Sequence, residues 1–407
     1  MRILVTYGWC RTSYVLLRSL AARGHEVFTC SHLQPAMALW SRHSKGGAIV
    51  RDPFTEPEAF THDVARLCDR WGIEAIFPGH EDAIALRRYG SLLPDDVSLI
   101  CPSLADLSAA VDKARMAQTA HEAGVPIPRT AFPNSSEEAI RNATEVGFPV
   151  VLKLRRSNGG KGVRLVRSES ELRALLEGPF AEHATNPNSF AIVQEFVEGY
   201  VSGGCALANE GEVVGFFGER YLRTKDGGFG TSTYREWDGD PTIRAHTIRM
   251  LNKMRWTGLA HFDFIVERQT GRVVLLEMNP RPWGAIHLAV INGYDFPAAA
   301  AAQCGGPIER TEYFPVSPPA HPKRSLWPVG EGIRLVSSLT RRHGRGSGIV
   351  SSHPRRTAAR TFLDGWDVRD PAPAVAEALC YLWGFVSSGG ELNPSTEGMH
   401  AAPDSST

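Results

Sequence analysis

The stretch Leu275-Leu276-Glu277-Met278-Asn279-Pro280-Arg281 decides the fold that this chain is expected to adopt. The apolar residues before Glu277 are typical of a buried strand. Because side chains alternate across a strand, Glu277, Asn279 and Arg281 are predicted to share one face. Pro280 cannot donate a ladder hydrogen bond, so the strand is predicted to end there. The sequence thus places a carboxylate, an amide and a guanidinium side by side.

A second apolar run, 258–266, lies just upstream and carries Asp263. The turn Gln269-Thr270-Gly271-Arg272 joins the two runs, which predicts a β-hairpin. If the strands pair, Asp263 reaches the same end as Glu277 and Asn279. Two carboxylates and an amide oxygen are ligands that Mg²⁺ prefers, and a neighbouring arginine suits an anion.

Length and composition limit the classes of protein that the chain can belong to. It has 407 residues, of which 43% are hydrophobic, and this supports two or three packed domains. Lysine plus arginine and aspartate plus glutamate each number 44, so the formal net charge is zero. A neutral chain offers no bulk attraction to nucleic acid or to an anionic membrane surface. We therefore expect neither as a partner.

The seven cysteines are scattered and include no Cys-x-x-Cys pair. This pattern argues against a disulfide framework and against a zinc site, and we expect reduced thiols in a cytoplasmic protein. No apolar run approaches ~18 residues, so no transmembrane helix is predicted. Gly8 and nearby arginines interrupt the apolar N-terminus, which is expected to be a first strand and not a signal peptide.

Residues 1–108 alternate short apolar strands with amphipathic helices, and this rhythm predicts a parallel sheet covered by helices. The turn after the first strand, 7–11, lacks Gly-x-Gly-x-x-Gly, so no dinucleotide site is predicted there. His80 and Glu81 follow the third strand, at the sheet edge where ligands bind in such folds. Glu81 is either a ligand contact or the start of the next helix, near its positive dipole end.

Two lysines lie in unusual places. Lys113 lies on a predicted helix, 110–123, and Lys153 lies inside the apolar strand 149–154. An unpaired ammonium in such a strand is costly, so Lys153 is expected to meet an anion. The loop Ser157-Asn158-Gly159-Gly160-Lys161-Gly162 follows, and its glycines let backbone N–H groups approach phosphate oxygens. It joins two strands and does not match a P-loop. A plain glycine-rich turn is the alternative.

Two further segments indicate moving parts. Residues 194–197 end an apolar strand and are typical of a hinge between a lid and a larger domain. The loop 223–232 is dense in glycine and carries Arg223 and Lys225, so it is predicted to close on a charged substrate.

The last quarter of the chain differs in character. Prolines cluster at 315–322, and a short helix is predicted at 374–383. We treat 306–386 as a C-terminal accessory region, which either covers the active site or forms a homodimer interface. Residues 387–407 are small and polar and are expected to be disordered.

Taken in order, these motifs resemble those of the ATP-grasp superfamily. The elements that carry the resemblance are a helix with Lys113, a strand with Lys153, a glycine loop, a hinge strand and a two-strand metal site. The resemblance implies an α/β fold with a Rossmann-like pre-ATP-grasp domain at 1–108 and an ATP-grasp domain at 109–305. It also implies a small α+β lid at about 125–197 and a larger catalytic subdomain.

The resemblance implies that the protein binds ATP and Mg²⁺, for which Mn²⁺ can substitute. The implied ATP-binding residues are Lys113, Lys153, Ser157, Gly159, Gly160, Gly162, Gln194, Glu195, Phe196 and Val197. The implied metal ligands are Asp263, Glu277 and Asn279. The implied catalytic residues are Lys153, Asn279 and Arg281, and the implied substrate contacts are Glu81, Arg223, Gly227, Gly228 and Arg281. His261 stands where some relatives carry arginine, and it is either a core histidine or a second phosphate contact.

Leu275–Gly284 reads Leu-Leu-Glu-x-Asn-Pro-Arg-x-Trp-Gly, as in the carboxylate–amine ligase branch of the superfamily. The resemblance implies an ADP-forming ligase that joins a small-molecule carboxylate to an amine, forming an amide or peptide bond with an amino acid. One alternative is an enzyme of the biotin-carboxylase or purine-pathway kind that uses bicarbonate or carbamate. Another is a nucleotide-binding module without catalysis, against which the intact Asp263, Glu277 and Asn279 set argues.

Overall fold

The structure is a computed structural model, and it describes residues 1–155, 162–181, 190–225, 230–340 and 359–387. The described residues form three β-sheets with helices packed on them. This confirms the predicted α/β class. Nearly all of the tail predicted at 387–407 lies outside the described residues. No described helix is both long enough and apolar enough to cross a bilayer.

The first part of the chain forms a parallel five-stranded sheet. Its elements are β1 (Arg2–Val5), α1 (Arg11–Ala22), β2 (Glu26–Ser31), β3 (Gly47–Ile49), α2 (Pro57–Trp71), β4 (Ala75–Phe77), α3 (Ala83–Arg88), β5 (Ser98–Leu99) and α4 (Leu104–Val111). The strand order is β3-β2-β1-β4-β5, and every pair is parallel. Because strand ends in such a sheet meet at one edge, the residues after β1 and β4 face the same ligand space.

Helix α1 shows why these elements form. Its apolar positions Tyr14, Leu16, Leu17 and Leu20 are all fully buried in the core beneath β1. Burying such side chains stabilises the folded state by about 1.5–3 kcal/mol each.

The helix predicted at 110–123 is in fact two helices, α4 and α5 (Lys113–Glu122). Asp112 separates the two helices, because its backbone is extended. Its carboxylate accepts hydrogen bonds from the backbone amides of Ala114 and Arg115 at 3.0 and 3.4 Å. An aspartate that satisfies the first free amides of a helix is a strong N-cap. Lys113 therefore begins a helix.

The middle of the chain forms a four-stranded sheet with its own core. Its elements are β6 (Thr130–Ala131), α6 (Ser136–Val146), β7 (Val150–Lys153), β8 (Val163–Val166), α7 (Glu169–Glu177) and β9 (Ile192–Glu195). The strand order is β6-β9-β7-β8. Ile140, Leu152, Leu172 and Val193 pack together there, in a cluster separate from the other cores. A small unit with a separate core is what a lid requires.

The third sheet has seven strands and carries the predicted hairpin. Its strands are β10 (Gly199–Asn209), β11 (Glu212–Thr224), β12 (Ser232–Trp237), β13 (Gly258–Glu267), β14 (Val273–Asn279), β15 (Arg324–Leu326) and β16 (Thr361–Leu363). The helices are α8 (Pro241–Met254), α9 (Ile286–Ile291), α10 (Phe296–Gln303), α11 (Arg310–Tyr313), α12 (Pro328–Thr340) and α13 (Ala372–Ser387). The order is β14-β13-β10-β11-β12-β15-β16. The antiparallel pairing of β13 with β14 confirms the hairpin.

The C-terminal region returns to the body of the protein. Its strands β15 and β16 extend the large sheet. Just after β16, the buried Asp364 accepts a hydrogen bond from Arg11 at 2.6 Å and lies 3.6 Å from the Arg235 guanidinium. Further on, Asp370 accepts hydrogen bonds from Ser41 and Tyr14 at 2.6 and 3.1 Å. Of the two roles left open for this region, covering the site is thus the one its contacts support. The domain limits remain predictions.

We expect Asp364→Asn to lower the free energy of unfolding by about 3 kcal/mol, because it removes the carboxylate that two buried guanidinium groups share and leaves Arg11 with Glu377 alone. Urea unfolding followed by tryptophan fluorescence measures the change. Asp367→Asn is the matched control. Asp367 pairs with Arg18 at 2.7 Å, but both are partly exposed, so the loss should stay under about 1 kcal/mol. Equal, small losses in both variants would contradict the predicted role of Asp364.

Candidate functional site

The hairpin brings the predicted metal ligands together. Asp263 lies directly opposite Glu277, and His261 lies opposite Asn279. The amide nitrogen of Asn279 is 3.4 Å from the Asp263 carboxylate. All four residues line a cavity of about 270 Å³. The geometry is the one that the alternation of side chains predicted, and the role of these residues as metal ligands stays a prediction.

The opposed carboxylates favour a bound cation. Burial raises the pKa of Asp263 from 3.8 to about 6. The neighbouring His261 opposes the rise, and the Glu277 carboxylate adds to it. Like charges directly opposite each other on paired strands are destabilising. The Tyr221 hydroxyl donates a hydrogen bond to Asp263 at 2.9 Å and orients this carboxylate. Carboxylate and amide oxygens of this kind fit Mg²⁺ or Mn²⁺.

Two buried lysines face the same carboxylates. Lys113 at the start of α5 and Lys153 at the end of β7 are each 6% exposed. Burial lowers the pKa of Lys153 to about 8, the charge of Lys113 lowers it further, and Glu277 opposes both. Burial also lowers the pKa of Lys113, against the carboxylates of Glu277 and Glu81. Two buried ammonium groups, of which Lys113 lowers the pKa of Lys153, fit a polyanion such as a nucleotide's phosphates.

Arg281 joins this set to the N-terminal sheet. It donates a hydrogen bond to the Asn279 side-chain oxygen at 3.3 Å, and its Nε lies 3.6 Å from the Glu81 carboxylate. Glu81 is 5% exposed and lies in the turn before α3, for which Asp82 is the N-cap residue. The structure therefore brings Glu81 to Arg281, but Glu81 is not among the described residues that line the cavity, and its role as a substrate contact stays a prediction.

The predicted hinge forms one wall of the cavity, to which Gln194, Glu195, Phe196 and Val197 all contribute. The Gln194 amide donates a hydrogen bond to Thr130 at 2.8 Å. The Glu195 carboxylate accepts a hydrogen bond from the Arg129 backbone and another from Arg272, at 2.9 and 3.1 Å. The side chains of Gln194 and Glu195 are thus engaged within the protein. The backbone groups of the hinge and the side chains of Phe196 and Val197 are what it offers to a bound base.

The glycine-rich segments are described only in part. Gly162 begins the turn into β8 with a positive φ of 65°, and its carbonyl accepts a hydrogen bond from the Leu154 backbone at 3.0 Å. A Cβ at this position would lie 2.6 Å from the Leu154 side chain, so the turn requires glycine. The predicted contacts Ser157, Gly159, Gly160, Gly227 and Gly228 lie outside the described residues.

The role of Arg223 as a substrate contact stays a prediction. Arg223 is not among the described residues that line the cavity. It pairs with Glu331 of α12 at 3.0 Å and stacks on the Tyr234 ring at 4.5 Å. The β11–β12 register shifts between Tyr221 and Arg223, and such a bulge redirects the side chains that follow it. Lys225 lines the cavity instead.

Sequence reasoning missed Glu219, which lies on the floor of the cavity. The register places Glu219 and Asp263 on either side of Gly203. Glu219 Oε1 lies 3.4 Å from His261 Nε2, and the other imidazole nitrogen lies 3.4 Å from the Asn279 amide. His261 is therefore a buried residue that orients Asn279, which favours the core alternative over a phosphate contact. Glu219 and Tyr221 are two residues apart on β11, and this spacing could have indicated that both side chains lie on the same face as the cavity.

The cavity also has an end that the sequence did not indicate. Trp9, Arg11, Trp327, Glu377 and Tyr381 line it, and they come from the N-terminal sheet and the C-terminal region. The Glu377 carboxylate accepts a hydrogen bond from the Trp327 indole at 2.9 Å and lies 3.4 Å from Arg11. Burial raises the pKa of Glu377 to about 7, and the charge of Arg11 opposes the rise. No local pattern links residues so far apart in the chain.

A family model described as the ATP-binding domain of the carbamoyl-phosphate synthase L chain matches residues 112–207. This segment runs from the N-cap of α5 through the lid and hinge to β10. Over this segment the chain is thus similar to the ATP-binding domains of the ATP-grasp superfamily. Biotin carboxylase 1 of Bacillus subtilis is 28% identical over 52% of this chain and 49% of its own length. The carbamoyl phosphate synthase large chain of an Arthrobacter species is 29% identical over 49% and 19%. The chain thus spans half or less of these relatives.

Solved structures show the same fold. The biotin carboxylase domain of 2-oxoglutarate carboxylase from Hydrogenobacter thermophilus matches with a TM-score of 0.63 and 18% identity, over 76% of this chain and 70% of that one. N5-carboxyaminoimidazole synthase from Aspergillus clavatus matches with a TM-score of 0.61 and 14% identity, over 79% and 81%. At these identities the likeness confirms the ATP-grasp architecture alone.

We expect the stability of the metal-free protein to report on Asp263. Its folded pKa is raised, so between about pH 4 and 6 the native state holds a proton that the unfolded chain has released. The free energy of unfolding should therefore fall as pH rises through this window. Asp263→Asn removes that titration. Urea unfolding from pH 4 to 8 should show the variant gaining roughly 2 kcal/mol on the wild type. Glu377 titrates in the wild type and in the variant alike, so it does not affect the difference between their free energies of unfolding. A difference that stays constant from pH 4 to 8 would contradict the raised pKa of Asp263.

Proposed function

We propose that the chain is an ATP-dependent, ADP-forming ligase that activates a small carboxylate as an acyl phosphate and transfers the acyl group to an amine nitrogen. The observation that carries this proposal is the position of Arg281 against Asn279, in a cavity that the hinge and the opposed carboxylates also line. A guanidinium beside a cation site and a nucleotide slot suits an anionic substrate that is about to be phosphorylated.

Bicarbonate is the acid that the relatives favour. Their names are biotin carboxylase and carbamoyl phosphate synthase. One solved neighbour holds MgADP and bicarbonate, and another holds ADP and 5-aminoimidazole ribonucleotide. These names support a bicarbonate-using enzyme better than the amino-acid ligase that the Leu275–Gly284 motif favours. An amino-acid carboxylate stays the second candidate, because the cavity extends past the residues assigned to the nucleotide and the metal, to Arg11, Trp327 and Glu377.

Each part of the site has a role in this proposal. Lys113 and Lys153 hold the phosphates of ATP, and the hinge residues contact the adenine through backbone groups. Asp263, Glu277 and Asn279 hold Mg²⁺ or Mn²⁺, which supplies charge neutralisation at the phosphates. Partly buried carboxylates that repel each other, next to buried lysines, are the observation that fits these groups.

The chemistry then needs no covalent enzyme intermediate. An oxygen of the substrate carboxylate attacks the γ-phosphorus, the bond to ADP breaks, and an acyl phosphate forms. The amine nitrogen attacks the acyl carbon, and phosphate leaves. Arg281 stabilises the negative charge that develops on the acyl oxygen and on the leaving phosphate. Closure of the lid excludes water, which would otherwise hydrolyse the acyl phosphate.

The direct test is ADP release from the purified chain with MgATP. Bicarbonate, amino-acid carboxylates and amines are added singly and in pairs, and a coupled assay follows ADP. We expect bicarbonate to stimulate ADP release, and an added amine to stimulate it further. Stimulation by amino-acid carboxylates without bicarbonate would support the second candidate. ADP release that no carboxylate changes would refute the proposed function.

We expect Glu277→Gln to abolish turnover and to retain the fold. The substitution keeps the shape of the side chain but removes a negative charge between two lysines and a cation site. ADP release measures turnover, and circular dichroism measures the fold. Glu137→Gln, on the exposed face of α6, is the control and should behave as the wild type. A folded Glu277→Gln variant with near-normal turnover would mean that the metal site is misassigned.

We expect Arg281→Lys to lower kcat by about 100-fold and to leave the KM for ATP unchanged, because lysine keeps the charge but lacks the planar fork. Steady-state kinetics separate the two constants. Arg173→Lys replaces an exposed arginine of α7 that pairs with Glu169, and it serves as the control. A raised KM for ATP with an unchanged kcat would place Arg281 on the nucleotide and not on the acyl group.

A further inference from the structure

Three side chains of different chemistry meet at the cavity floor. Cys205 lies on β10 directly opposite His261 of β13, and Glu219 lies on the neighbouring strand β11. The Cys205 sulfur, a His261 ring nitrogen and a Glu219 carboxylate oxygen all lie within 4.8 Å of one another. The three residues are buried, at 0%, 4% and 0% exposure. Thiolate, imidazole and carboxylate are the groups that bind zinc in proteins.

Glu219 and His261 point into a common space and not at each other. Glu219 Oε1 lies 3.4 Å from His261 Nε2, yet neither atom has a hydrogen-bond partner, and the second carboxylate oxygen has none either. Ligand atoms on one tetrahedral zinc ion lie about 3.3–3.6 Å apart at the usual bond lengths. The nitrogen and the oxygen thus already have this spacing, and the Cys205 sulfur needs to approach by about 1 Å at most.

Gly203 leaves the space that an ion would fill. It lies on β10 between Glu219 and Asp263, and a Cβ there would lie 2.9 Å from His261 Nε2 and 3.0 Å from Glu219 Cγ. Glu219 and His261 line the cavity, whereas Cys205 belongs to the core beneath it. An ion can therefore enter from the cavity, and its fourth coordination position faces that cavity.

The charges around this cluster favour a cation. Among the residues that the structure describes, His261 is the one basic side chain within ion-pair distance of Glu219. The charges of Arg235 and Arg281 reach the cluster, but each guanidinium pairs with another carboxylate at 3.6 Å. A buried carboxylate whose oxygens accept no hydrogen bond is costly, and a divalent ion removes this cost.

We propose that Cys205, Glu219 and His261 bind a zinc ion, with a water molecule at the fourth position. The sulfur–zinc bond forms as the thiol releases its proton to solvent. Zinc takes Nε2 of His261, so Nδ1 remains an acceptor for the Asn279 amide, which lies 3.4 Å away. The ion thereby fixes the imidazole tautomer that orients Asn279. No local sequence pattern marks this site, because only strand pairing brings its ligands together.

Zinc binding to the full chain tests the site. The protein is stripped with a chelator, dialysed into excess Mg²⁺ and titrated with Zn²⁺ alone against a competing chromophoric chelator. The Mg²⁺ occupies sites of oxygen ligands, whereas thiolate and imidazole select zinc. We expect one zinc per chain, which elemental analysis after gel filtration also measures. A wild type that retains no zinc would overturn the proposal and leave Glu219 and His261 as an ion pair.

Three variants assign the ligands. Cys205→Ser and Glu219→Gln each remove one ligand at nearly constant size. We expect each to weaken zinc binding at least about 100-fold, since loss of an outer partner of a metal ligand already costs about 10–100-fold. Cys10→Ser removes another thiol that lines the cavity and is the control, with wild-type affinity expected. Circular dichroism checks the fold of each variant. Wild-type affinity in either Cys205→Ser or Glu219→Gln would overturn the three-ligand site.

Cobalt substitution gives a readout that a purely structural role of these residues would not produce. Co²⁺ bound by a thiolate has a sulfur-to-metal charge-transfer band in the near ultraviolet, and tetrahedral Co²⁺ absorbs strongly in the visible range. We expect both bands in the wild type and in Cys10→Ser, and no charge-transfer band in Cys205→Ser. Cobalt that binds to the wild type without this band would lie on oxygen and nitrogen ligands alone and would overturn the proposal.

The zinc site goes beyond the proposed function and does not depend on it. ADP release that no carboxylate changes would refute the proposed function and leave the zinc measurements standing. Absence of zinc from a chain whose ADP release responds to bicarbonate would overturn the zinc site alone.

Discussion

The structure depends on two carboxylates that the β13–β14 ladder holds directly opposite each other. Asp263 and Glu277 are fixed in this register by a hairpin whose other face lies in the core, so neither can turn away. Burial and mutual repulsion make this arrangement unfavourable without cations. Lys113 arrives from α5 and Lys153 from the lid, and both lose proton affinity on burial near the same carboxylates. The folded chain thus holds carboxylates and ammonium groups in the arrangement that the proposed metal–nucleotide site requires.

Local sequence patterns predicted the elements that depend on neighbouring residues. The hairpin could be predicted because two apolar runs are joined by a short turn, and the alternation along β14 placed Glu277 and Asn279 correctly. Arg281 and Glu81 approach each other, although only the fold-level rule for parallel sheets indicated that edge. Lys113 was placed inside a helix, whereas the Asp112 cap makes it the first residue of a new one. The Asp112 cap fixes where the helix begins, and it therefore also fixes the position of the Lys113 ammonium group.

What the sequence did not indicate depends on pairing across the sheet. Glu219 meets His261 only because β10 lies between β11 and β13, with Gly203 leaving the space between them. A Cβ there would lie 2.9 Å from the His261 ring nitrogen. Strand order of this kind is set by tertiary packing and has no signature in any single window. The position of Arg223 away from the cavity lining has the same origin, since the register of β11 with β12 shifts between Tyr221 and Arg223.

The C-terminal region is tied to the rest of the protein through one buried carboxylate. Asp364 contacts Arg11 at the start of α1 and Arg235 from the large sheet, and burying an unpaired guanidinium at either place would be costly. The same two arginines line the cavity. The end of the cavity at the C-terminal region is therefore built by the same ion pairs that hold this region in place, whereas the lid has a separate core.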